Sequence, residues 1–134
     1  MLSKRSVRVR KIALAANNYA WGLRKLRRFK EAKALMRKMM PVARRVLGET
    51  HELMLKMRLG YAMALYMDTG ATLDDLREAV ETLEDAVRIA RRVFGGAHPT
   101  VTGIEMCLRN ARIVLRARDP RRHTVSSRAR ARRA

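Results

Sequence analysis

From Phe29 onward apolar side chains fall at positions 29, 32, 36, 39, 43 and 46, and Leu35, Met40 and Leu47 widen the stripe. Alternating steps of three and four are the period of a helix that buries one face, so a helix is predicted from Phe29 to Leu47. The period returns at Leu76, Val80, Leu83, Val87, Ala90 and Phe94, seconded by Ala79, Ala86 and Val93. Three further stretches read the same way. One covers about Ser6 to Leu26. Another covers about Glu52 to Met67, with Met54, Met57, Tyr61, Ala64 and Leu65 inward. The last covers about Thr100 to Ala117, on Val101, Ile104, Leu108, Ala111 and Leu115. Five helices are expected, with Met36, Met39 and Met40 as core filler and an adaptable binding groove as their alternative role.

The residues between the stripes punctuate them. Gly48 follows Arg44 and Arg45, and Gly95 follows Arg91 and Arg92; a glycine after basic residues is a helix C-terminus. Thr72 and Asp75 have the spacing of a capping box, which opens the fourth helix. Pro41 falls inside the second helix, where it removes one hydrogen bond and is expected to kink the axis. The nonapeptides "ARRVLGETH" (43–51) and "ARRVFGGAH" (90–98) are near copies. Each ends one helix and starts the crossing to the next. His51 and His98, 47 residues apart, are expected to bond local backbone, the alternative being a metal or catalytic role.

The likeness extends upstream: Glu31-Ala32 aligns with Glu78-Ala79, and Tyr19-Ala20 with Tyr61-Ala62. A repeat of two helices in about 42 residues marks a helical solenoid, in which each hairpin covers its broad apolar face by stacking on the next. The expected fold is all-α, a solenoid of about two hairpins plus a C-terminal capping helix, over residues 1–119. Pro120 stops the last helix, and residues 120–134, with six arginines and no apolar period, are expected to be a disordered basic tail.

"NNYAWGLRKLRRFKEAKALMRKMMPVARRVLGETH" resembles the tetratricopeptide repeats of the kinesin light chain type, in which a pattern near LNNLA precedes a [YF]-E-E-A helix ending in LG and a His-Pro pair. Asn17, Asn18, Tyr19 and Ala20 carry the first part, Phe29, Glu31 and Ala32 the second, and Leu47, Gly48 and His51 the third. Tyr61-Ala62, Glu78-Ala79, Gly95, His98 and Pro99 carry it in the second unit. Leu59 and Gly60 replace the paired Asn there, and Arg109 stands at the small position of the last helix, which therefore reads as a cap. The resemblance implies that the first helices of successive units line a concave groove for an extended or acidic peptide, a groove made basic here by Lys25 and Lys56. Leu14, Asn18, Trp21 and Lys25 would face it from the first unit, and Lys56, Gly60, Met63 and Met67 from the second. Of these, Asn18, Trp21, Lys25, Lys56 and Met63 are the candidate contacts. Asn18 is the direct match to the motif, and helical phase places the others. Plain core packing is the alternative role for Trp21.

Charge adds a second candidate function. The chain carries 31 basic and 12 acidic residues, and 15 of the basic ones but a single acid lie in residues 1–47. Arg5, Arg8, Arg10 and Lys11, with Arg121, Arg122, Arg128 and Arg130 in the tail, are candidates for electrostatic attachment to nucleic acid or an anionic surface. With 4% aromatic residues, none interleaved with the basic ones, no stacking platform for RNA bases is visible. No phosphate loop, metal-ligand spacing or nucleophile–base pair points to an enzyme, and no cofactor or metal is expected. Cys107 reads as a small buried apolar residue. No apolar run approaches the roughly 20 residues of a membrane span. A cytoplasmic protein is expected; the alternative, a mitochondrial or plastid transit peptide, rests on the acid-free, Arg-rich N-terminus. Two hairpins are fewer than the usual three, so the first helix is expected to expose a stacking face that a partner, a second copy or further sequence completes.

Overall fold

The computed structural model describes residues 3–119, which form α1 (Lys4–Lys25), α2 (Phe29–Leu47), α3 (Glu52–Tyr66), α4 (Leu73–Phe94) and α5 (Pro99–Arg118). Each helix packs on its neighbours in sequence, and α3 also touches α1 and α5, whereas α1 and α5 do not meet. A closed bundle would bring its first and last helices together. This row of hairpins stays open, as the helical solenoid read from the sequence requires. The residues of the tail lie outside the described part of the chain.

Local chemistry sets the helix ends. The Ser3 hydroxyl accepts from the Ser6 amide 3.1 Å away, so α1 begins two residues earlier than its apolar pattern. Thr72 and Asp75 form the capping box in both directions, at 3.0 and 3.3 Å. Gly48 and Gly95 adopt φ of 82° and 81°, a region that side chains with a Cβ avoid, which explains the glycine in each nonapeptide. Three residues on, His51 and His98 act as N-caps: each Nδ1 accepts a backbone amide, from Leu53 at 3.0 Å and from Thr100 at 3.1 Å. The turn after α1 has no glycine, and Arg27 itself takes a φ of 62°. α2 continues through Pro41, which sits on its exposed side.

The helices differ in how much they bury. α2 and α4 are amphipathic, with Ala32, Met36 and Ala43 buried on one and Leu76, Leu83 and Ala90 on the other. α3 is enclosed by four neighbours and buries Met54, Leu55, Met57 and Leu65 completely or nearly so. Between α2, α3 and α4 lies one polar network. Arg37 Nε donates to the Tyr61 hydroxyl at 2.8 Å, the hydroxyl donates to Glu78 at 2.5 Å, and Arg37 also pairs with Glu78 at 3.0 Å. Burial first, and the Glu78 carboxylate second, push Tyr61 from 10.0 up to about 12. The folded state therefore keeps its proton where the unfolded chain loses it. The resulting stability is complete below pH 10 and is lost as pH rises toward 12. Tyr61→Phe is expected to flatten the decline of urea-measured stability across that window, relative to the parent chain.

Candidate functional site

The first helices of the row share one open side. On α1, the adjacent Asn17 and Asn18 lie one turn before Trp21; on α3, Glu52, Lys56 and Leu59 fall on successive turns; from α5 come the cap His98 and Pro99, Thr100 and Gly103. Together they line a groove of about 560 Å³. The His98 ring, fixed by its capping bond, stacks on Phe94 with centroids 4.5 Å apart and so anchors the α5 wall.

Trp21 is half-buried and held from two sides. A Cβ on Gly60 would come within 3.1 Å of the indole nitrogen, so the missing side chain at Gly60 is what lets the indole lie against α3. On α1 itself the Arg24 guanidinium lies 4.4 Å from the ring centroid, and its Nη1 is 3.8 Å from the Met67 sulfur. Beneath the ring, Asn17 is 5% exposed. Its Oδ1 has no hydrogen-bond donor among the described residues, nor does the buried Arg24 Nε have an acceptor. Orphaned buried polar atoms are rare because they carry a desolvation penalty.

Electrostatics along the wall are balanced. The Glu52 carboxylate accepts from the Thr100 hydroxyl at 3.2 Å and lies 3.5 Å from the Lys56 ammonium. The Thr100 bond first, and Lys56 second, hold the Glu52 carboxyl below its ordinary range. Lys56 is thereby neutralised, and the lining is not the basic surface expected from Lys25 and Lys56.

Of the candidate contacts, the structure brings Asn18, Trp21 and Lys56 together in the lining. Lys25 is exposed a turn beyond Trp21, and Met63 is partly buried against the core; neither lines the groove. Asn17, Glu52, Leu59, His98, Pro99, Thr100 and Gly103 also line the groove and are not among the contacts expected from the sequence. The Glu52–Lys56 pairing has a sequence signal, the i,i+4 spacing of opposite charges. The α5 wall has one in the His98-Pro99 pair that opens that helix.

The basic candidates are more dispersed. Arg8 and Lys11 share a shallow hollow with Lys4 and Val7, while helical phase puts Arg10 on another side of α1. Arg121, Arg122, Arg128 and Arg130 lie outside the described residues. Cys107 is buried. Among the described residues no group of three or more His, Cys, Asp or Glu could hold a metal ion, and no helix is long and apolar enough to cross a membrane.

Residues 12–52 and 71–100, together more than half of the chain, match the family described as tetratricopeptide repeat. No curated protein and no solved structure gives a match.

Proposed function

Because this chain belongs to the tetratricopeptide repeat family, whose repeats mediate contacts between proteins, we propose that it is an interaction module whose groove takes an extended segment of a partner protein. The observation that carries this reading is Trp21. Gly60 and Arg24 hold its ring at the wall of an open groove, beside the two asparagines. An aromatic ring fixed in this way is an anchor of the kind that dominates interface energy, and asparagine amides can pair with both edges of a peptide backbone. Asn18, Trp21 and Lys56 act as contacts, with Lys25 and Met63 reached by a longer segment. Since Glu52 neutralises Lys56, a mixed or weakly charged peptide fits better than a strongly acidic one. The capping histidine of each nonapeptide supports placement with the kinesin light chain type within the family.

Gly103 offers the test. It lies in the lining, and nothing comes within 4 Å of a Cβ placed there. Gly103→Leu fills the groove while improving helix propensity by up to about 1 kcal/mol. Peptides selected from a displayed library against the full chain should alter the emission of the single tryptophan. They should bind Gly103→Leu at least tenfold more weakly, with its melting temperature unchanged or raised. Equal affinity for the two proteins would rule the groove out.

The electrostatic alternative, attachment to nucleic acid, is favoured by exposed Arg5, Arg8, Arg10 and Lys11, which have no ion pair among the described residues. It predicts a loss of affinity on the order of a thousandfold over a fourfold rise in salt if about eight phosphates are neutralised, far steeper than groove capture.

A further inference from the structure

The side of α1 turned away from α3 carries a second pattern. Ile12, Ala15, Tyr19, Gly22 and Leu26 follow one another in steps of three and four, and all five are exposed, Tyr19 at 63% and Leu26 at 69%. Large residues at 12, 19 and 26 alternate with small ones at 15 and 22, and nothing approaches the place of a Cβ on Gly22. Such alternation gives a helical surface holes as well as knobs, the shape that admits a second helix at close range. On α2, Leu35, Val42 and Val46 are partly buried. Helical phase puts them opposite Lys33 and Arg37, which pair with α4, so they belong to this same outer edge of the first hairpin.

Charge selects the occupant. Lys4, Arg5, Arg8 and Lys11 surround the N-terminal half of the stripe and have no ion pair among the described residues. The one acid of this hairpin, Glu31, is taken up by Arg28 at 2.7 Å. A second copy is a poor fit. Met106 and Ile113, exposed apolar side chains of α5 at the other end of the row, stand among Arg109 and Arg116 and would repel α1. The exposed acids of α4, Glu81, Glu84 and Asp85, lie on a face without an apolar stripe. The tail from 120 to 134 has only basic charge. Small residues at 15 and 22 also leave little apolar area to insert into a bilayer.

We propose that this face of α1 docks an amphipathic helix of another polypeptide, with an apolar stripe flanked by Glu and Asp, and that it does so independently of the groove. The probe is a labelled 21-residue helical peptide with Leu and Ala alternating along its stripe and Glu on both flanks, titrated into the full chain by fluorescence anisotropy. Micromolar binding is expected, at least tenfold weaker for Tyr19→Asp/Leu26→Asp, whose positions are too exposed to matter for folding, and severalfold weaker for Arg5→Ala/Arg8→Ala. Gly103→Leu should bind it as the parent does, which separates this surface from the peptide groove. The proposal is overturned if the acidic probe fails to bind or binds these variants equally, or if a Lys-flanked probe binds as tightly. It is also overturned if the chain sediments as a dimer that Tyr19→Asp/Leu26→Asp dissolves, or if the two Asp substitutions abolish capture by phosphatidylserine-containing vesicles but leave peptide binding intact.

Discussion

Truncating Leu55 to alanine is expected to destabilise the chain by about 3 kcal/mol and to lower its melting temperature by roughly 10 °C. Leu55 is fully buried on α3, the one helix that touches all four others. Removing three carbons there takes away apolar burial and leaves a void that no single hairpin can collapse into, since neighbours on several sides would have to move together. The effect should also be cooperative. In a row of hairpins each unit is held by the next, so weakening the middle loosens both sides at once. Calorimetry should show one shifted transition. Leu26→Ala, at a position 69% exposed on the outer edge, should change stability by less than about 0.5 kcal/mol.

The second large effect is expected at Glu49, in the turn between α2 and α3. Its carboxylate pairs with Arg44 at 2.8 Å and with Arg58 at 2.7 Å. Arg58 lies inside α3 and its side chain is only 9% exposed, so Glu49 is what compensates a largely buried positive charge. Removing one partner of a fully buried pair costs about 3 to 5 kcal/mol. Glu49 itself is half exposed, and water can reach the gap, so Glu49→Ala is expected to cost about 2 kcal/mol in urea denaturation. Glu49→Asp, with a shorter reach, should fall between the two, and Arg58→Met should largely relieve the loss in the Glu49→Ala background, because no charge then remains to be compensated.

Arg58 also marks where a sequence reading stops. The helices α2 and α4 were legible because each has one apolar and one charged face, and position alone then assigns the buried side. α3 has no such division: it sits in the middle of the row and buries Arg58 and Tyr61 along with its methionines. Periodicity identifies a face that touches one neighbour but says little about a helix with four. The nonapeptides were read correctly as helix ends, with glycine and histidine each performing a defined backbone task. The groove was half legible. Asn18, Trp21 and Lys56 follow from the repeat pattern and helical phase, but the α5 wall does not, because Arg109 gives that helix the character of a cap along its whole length. Its first turn, around His98 and Thr100, instead bonds to Glu52 and forms one wall of the groove.

Everything assigned to the groove depends on α1, α3 and α5 standing in a row with α3 between the other two. Methyl NOE spectroscopy on the full chain tests that arrangement most directly. Cross-peaks are predicted from the methyls of Leu55, Ala62 and Leu65 to those of both α1 and α5, and none between Ala20 or Leu23 on α1 and Ile104 or Leu108 on α5. A network of cross-peaks joining α1 to α5 would mean a closed bundle and would contradict the open groove, with Trp21 then buried inside it.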